Sequence, residues 1–151
     1  IQNFLEKNPF LIKPCSKIIP KQKLGENWVT DFVLMNLYDH TVHYTLVEIE
    51  RPDMPILKDN KDFRAEFTHA VSQTLHWDTW LQDNQDYIQR RLKGFETPSY
   101  LIIGGRSKNM SLEEKRLITA WNRRQQNTEF LTYDDIIERA KEFAQTLSSI
   151  Q

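Results

Sequence analysis

Asp31, Glu48 and Glu50 are the residues of this chain whose types and spacing suit chemistry. Glu48 and Glu50 fall in the run Thr45-Leu-Val-Glu-Ile-Glu-Arg-Pro52, and Asp31 lies in the apolar stretch before it. Successive side chains of a strand point to opposite faces, so Glu48 and Glu50 share one face while Val47 and Ile49 share the other. Ionised carboxylates placed together in a half-buried sheet repel one another, and they are costly unless a cation, a proton or a basic side chain joins them. Of those three, a divalent metal is the leading expectation. Hard oxygen ligands favour magnesium or manganese over zinc.

The elements that must position these acids follow from the apolar pattern. Trp28 to Leu37 reads as a strand with Asp31, Val33 and Met35 on one face. Tyr38 to Thr41 turns the chain, and Val42 to Glu50 returns as a second strand, a hairpin that brings Asp31 near Glu48 or Glu50. Ahead of it, Ile1 to Lys7 reads as a short helix stopped at Asn8-Pro9, Cys15 to Ile19 as a short edge strand, and Pro20 to Asn27 as a loop. Asp62 to Asp83 carries Phe63, Phe67, Ala70, Val71, Trp77, Trp80 and Leu81 near helical spacing, with Gln73 on or beside that stripe. Helix resumes from Asn84 to Lys93, and Tyr100-Leu-Ile-Ile103 is a compact strand. Ser111 with Glu114 opens a helix through Leu117, Ile118 and Trp121. Thr128 to Leu131 reads as a strand, and Thr132 with Asp135 caps a last helix bearing Ile136, Ile137, Ala140, Phe143, Ala144 and Leu147. This order predicts one α/β domain over residues 1–151, of the α+β kind, with helices on the faces of a mixed sheet.

Composition excludes several classes. With 151 residues, 39% hydrophobic and 27% charged, the chain suits a single-core globular domain. The single cysteine, Cys15, rules out an internal disulfide and a cysteine-based zinc module, so a reducing, cytoplasmic setting is expected. His40, His43, His69 and His76 show no zinc spacing and read as surface or packing residues. Ile1 stands first in place of Met, so a fragment of a longer protein is expected. The net charge of −1 argues against non-specific coating of nucleic acid, yet residues 84–126 hold nine Lys or Arg against four Asp or Glu. A basic middle beside an acidic pocket can attract phosphate, and solvated helix faces are the plainer reading.

Taken in order, Phe4-Leu-Glu-Lys-Asn-Pro9, Thr30-Asp-Phe-Val33, Leu46-Val-Glu-Ile-Glu-Arg-Pro52, Ala70-Val-Ser-Gln73, Pro98-Ser-Tyr-Leu-Ile-Ile-Gly-Gly-Arg106 and Leu131-Thr-Tyr-Asp-Asp-Ile136 carry a resemblance. Together they resemble the C-terminal domain of the Shedu family of bacterial anti-phage defence proteins, a branch of the PD-(D/E)XK nuclease superfamily. That resemblance implies a restriction-endonuclease-like core with flanking helices. Its activity would be a magnesium-dependent DNA endonuclease or nickase, its assembly a homo-oligomer, and its full-length form would include an N-terminal regulatory region. Asp31 and Glu48 match the superfamily's Asp and Glu. Glu50 stands where Lys is usual, so it is expected to act as a ligand or general base, or else to mark a degenerate module kept for nucleic-acid binding or oligomerisation.

The resemblance adds further candidates. Glu6 matches an acid of the opening helix that reaches the metal in some such nucleases, against the plain reading of a surface glutamate. Gln73 matches a helix glutamine that holds a ligand, a water or the DNA backbone. Arg106, beside two glycines that let the backbone approach a ligand, is expected to bind phosphate or to form a structural ion pair. Arg51, Arg90, Arg91, Lys93 and Lys108 are weaker phosphate candidates.

Overall fold

The computed structural model describes residues 2–13, 17–38 and 40–150, so the expected Cys15 lies outside the described residues. Helix α1 (Gln2–Lys7) ends at Asn8, and a 3₁₀ turn over Pro9–Leu11 follows. Strand β1 (Lys17–Pro20) leads into a small hairpin of β2 (Lys23–Leu24) and β3 (Trp28–Val29). Strands β4 (Phe32–Tyr38) and β5 (Thr41–Ile49) form the expected hairpin. Helices α2 (Ala65–Asp83) and α3 (Gln85–Gln89) then lead to β6 (Ser99–Ile103), and α4 (Leu112–Arg124) leads to β7 (Thr128–Leu131). Helix α5 (Tyr133–Ser149) closes the described chain.

The main sheet has the order β1-β4-β5-β6-β7, antiparallel up to β5 and parallel from β5 through β7. Both faces are covered, which accounts for the unbroken apolar run of β6. On one face Phe32, Leu34, Val47, Leu101 and Ile103 meet Leu5, Ile12, Tyr133 and Ile136 from α1, the following turn and α5. On the other, Val33, Tyr44, Leu46 and Tyr100 meet Trp77 and Leu81, while Ile102 and Phe130 meet Phe67, Ala70 and Ile118. Each such buried side chain contributes on the order of 2 kcal/mol of hydrophobic stabilisation.

Helix α2 buries Phe67, Ala70, Thr74, Trp77 and Leu81, a three-and-four spacing. Thr74 fits this stripe because its hydroxyl donates to the Val71 carbonyl at 2.8 Å. The expected capping box of Ser111 with Glu114 is present, and the expected cap of Thr132 with Asp135 is a capping box as well. The outer strand β7 is closed by α4. Asn122 Nδ2 donates to the Phe130 carbonyl at 2.9 Å, and the Phe130 N–H donates to Asn122 Oδ1 at 2.8 Å. One amide thus satisfies both outward-facing backbone groups of Phe130. Among the described residues, no helix is long and apolar enough to cross a membrane.

Four expectations need correction. The stretch expected as a loop from Pro20 to Asn27 contains strand β2, which pairs with β3 around the turn at Gly25. The stretch from Trp28 to Leu37 is broken at Thr30-Asp31, and Asp31 sits in a bend between β3 and β4, in line with the poor fit of Asp to strands. The helix expected over Asn84 to Lys93 is regular only to Gln89, beyond which turns lead to Gly94, where φ is +74°. The apolar stripe of α5 is buried only at Tyr133 and Ile136, while Ile137, Phe143 and Leu147 are exposed.

A carboxylate cluster on the face covered by helix α2

Glu48 alternates with Val47 and Ile49, which enter one core, and so shares with Leu46 the face of β5 that α2 covers, while Glu50 follows one residue past the end of the strand. Asp31 follows from β4 pairing: Phe32 lies opposite Val47, so the bend ahead of Phe32 falls beside Glu48. The bend is pinned at several points. The Asp31 N–H donates to the Val47 carbonyl at 3.1 Å, and the Ile49 N–H donates to Asp31 Oδ2 at 2.7 Å. Lys21 lies beside it, its N–H donating to the Asp31 carbonyl at 3.0 Å and its Nζ standing 3.2 Å from Asp31 Oδ1. Lys21 adopts a left-handed φ of 50°, a conformation costing about 1 to 2 kcal/mol for a residue with a Cβ.

Glu50 is held from three sides. Its N–H donates to the Ile103 carbonyl at 2.7 Å, and Tyr133 on α5 donates its hydroxyl to the Glu50 carbonyl at 2.8 Å. Gly104 provides the third restraint, since a Cβ there would stand 2.7 Å from Glu50 Cβ and 2.9 Å from Met54 Cε. The Gly104-Gly105 pair therefore lets the backbone approach Glu50 and the Met54–Ile56 segment, where the sequence had suggested an approach to a ligand. Gly105 additionally has φ of +63°.

The electrostatics of the cluster are frustrated. The Glu48 carboxyl is pushed up from 4.5 to about 8, first by burial and then by the charges of Asp31 and Glu50, with Lys21 and a hydrogen bond from Gln73 pulling it back only partly. The Tyr133 hydroxyl is pushed up to about 12, by burial and then by the charges of Asp31 and Glu50. Asp31, Glu48, Glu50 and Gln73 are thus brought together. Their donor set of hard oxygens with excess negative charge fits a hard divalent cation in chemistry. Among the described residues, however, no three His, Cys, Asp or Glu side chains gather into a formed metal group.

The remaining candidates lie elsewhere. Glu6 stands on α1, whose Leu5 covers the opposite face of the sheet, and its carboxylate receives Gln2 Nε2 at 3.4 Å. Arg106 is committed to Asp134, with Nε at 2.8 Å and a second nitrogen at 2.6 Å, so the ion-pair alternative describes it. Asp134 also accepts the Ser107 and Lys108 N–H groups at 2.7 and 2.9 Å. Arg51 is exposed and stands 3.6 Å from Asp53, while Arg90 Nε donates to the Asp86 carbonyl and Arg91 lies over the Tyr87 ring. The exposed Lys108 lines an open cleft of about 770 Å³ between α4 and α5. Lys93 is exposed. His76 stacks on Trp28 and Trp77 is fully buried, so neither residue departs from a packing role.

Sequence reasoning missed two neighbours of the cluster, Lys21 and Tyr133. Lys21 could be found only by pairing β1 with β4, since Pro20 opposite Phe32 sets the next residue beside Asp31.

A family profile described as Shedu protein SduA, C-terminal, matches residues 1–137. No curated protein matches the chain.

Proposed function

The chain belongs to the C-terminal domain family of the Shedu anti-phage defence protein SduA, and from that premise we propose that it is a divalent-cation-dependent nuclease acting on DNA phosphodiesters. One observation carries this reading: Glu48 is half-buried between two like charges, with one amide and one lysine as insufficient compensation. A site for a cation has this imbalance when no cation is counted.

Asp31 and Glu48 would hold magnesium or manganese, and Glu50 would add a third carboxylate or take a proton from the attacking water. When bound, such a cation polarises a phosphodiester and acidifies nearby water. Gln73 would orient the Glu48 carboxylate through its amide. Lys108, free of the ion pair that holds Arg106, offers charge to the DNA backbone, and phosphate contacts of that kind carry little sequence information.

A second reading is favoured by a different observation. Both Asp31 oxygens already have partners, Lys21 and the Ile49 N–H, as in a retained module that binds DNA or assembles copies without cleaving. Incubating wild type and Glu48→Ala with duplex and single-stranded DNA plus Mg²⁺ or Mn²⁺ separates the two. Cation-dependent cleavage that disappears in the variant is the outcome expected here, and equal DNA retention without cleavage by both proteins would establish the second reading.

A further inference from the structure

We propose that Lys21 is a catalytic residue of this site, its ammonium meeting the scissile phosphate in place of a basic residue on β5. The inference rests on the nuclease reading above and adds to it the group that offsets the charge building on the phosphoryl oxygens. A hydrolytic site of three carboxylates repels a phosphodiester unless positive charge besides the cation faces the substrate. Position 50, two residues beyond Glu48 on the same face, supplies a further negative charge where an ammonium would help.

Among the described residues, Lys21 is the basic group whose charge acts on Glu48. Its Nζ lies 3.2 Å from Asp31 Oδ1, and its side chain is 58% exposed while that of Asp31 is 19% exposed. The ammonium therefore forms the outer layer of the cluster and the acids the inner layer, the order in which an incoming phosphate would meet them. The main chain at Lys21 is fixed by its bond to the Asp31 carbonyl, and its left-handed backbone turns the side chain from a defined point. In this role Lys21 breaks no bond and transfers no proton. It neutralises charge while water attacks phosphorus and the ester oxygen leaves.

The test compares wild type, Lys21→Ala, Glu50→Lys and the Lys21→Ala/Glu50→Lys double variant, reading DNA cleavage with Mn²⁺, Mn²⁺ affinity by calorimetry and thermal unfolding. Lys21→Ala is expected to lower kcat about 100-fold with KM changed less than about 3-fold. Mn²⁺ affinity should hold or rise, because a competitor for Asp31 has gone. Restoring an ammonium from position 50 in the double variant should raise cleavage about 10-fold above that of Lys21→Ala, short of wild type because the Glu50 carboxylate is gone. Wild-type cleavage rates in Lys21→Ala would overturn the inference and leave the nuclease reading standing, since Lys21 would then be a surface ion-pair partner only. Loss of Mn²⁺ affinity in Lys21→Ala without recovery in the double variant would also overturn it, by making Lys21 structural. If wild type is inert and Glu50→Lys cleaves, Lys21 does not fill the role and the natural site is degenerate at Glu50. If neither cleaves, both the inference and the nuclease reading fall.

Discussion

Two carboxylates near the C-terminal ends of the parallel strands meet opposite treatment. Asp134, in the first turn of α5, receives the Arg106 guanidinium and two backbone N–H groups, and its carboxyl is pulled below the usual range, first by the bond from Arg106. Glu48, on β5, receives one amide and faces two further carboxylates, and its carboxyl is pushed up to about 8. The first arrangement spends its hydrogen bonds on fixing a loop to a helix. The second makes ionisation of a half-buried carboxyl costly, a cost that a bound cation would relieve. Local compensation thus separates a structural acid from a candidate functional one more clearly than residue type does.

The contrast can be broken by mutation. The largest expected effect is on cleavage: Glu48→Ala should lower it about 1,000-fold, whereas Asp134→Ala should leave the activity of the folded fraction within about 3-fold. Comparable losses in both, measured per folded molecule by circular dichroism, would erase the distinction. Next, Gly104→Ala should destabilise by about 2 to 3 kcal/mol in urea unfolding, because its Cβ must displace Glu50 or Met54. Smaller, and opposite in sign, Glu48→Gln should stabilise the cation-free protein at pH 8 by about 2 kcal/mol, allowing for solvent at a half-buried group.

The pH dependence of that gain follows from the folded carboxyl at about 8 exceeding the ordinary 4.5. The native state holds the proton more tightly than the unfolded chain, so wild-type stability from this group is intact below 4.5 and is lost as pH rises through 8. The advantage of Glu48→Gln should therefore shrink toward zero near pH 4.5, and a pH-independent gain would mean that packing rather than charge is responsible. The smallest effect is that of Asp134→Ala on stability, about 1 kcal/mol for its lost hydrogen bonds and read as a drop of a few degrees in Tm.

Features set by local periodicity were legible in the sequence. The same-face pairing of Glu48 and Glu50, the β6 and β7 runs, both helix caps and the place of Gln73 beside a buried stripe all depend on spacings of two, three or four residues. What escaped depends on partners distant in sequence. The commitment of Arg106 is made 28 residues away at Asp134, and the hold of Tyr133 on Glu50 spans 83 residues. The break at Asp31 was hidden for a different reason. Apolar residues on both sides gave a continuous strand pattern, while the side chain of Asp31 itself takes the Ile49 N–H that a regular ladder would have used.

Closing β7 with a single side chain has a consequence for how the molecule behaves among its copies. A sixth strand could pair with Phe130 at that border only by evicting Asn122, so lateral growth of the sheet is checked there by one side-chain amide rather than by a bulky cover. Replacing that amide with a hydrocarbon of similar size would unlatch the border, and the domain would acquire a tendency to polymerise while its interior stayed intact.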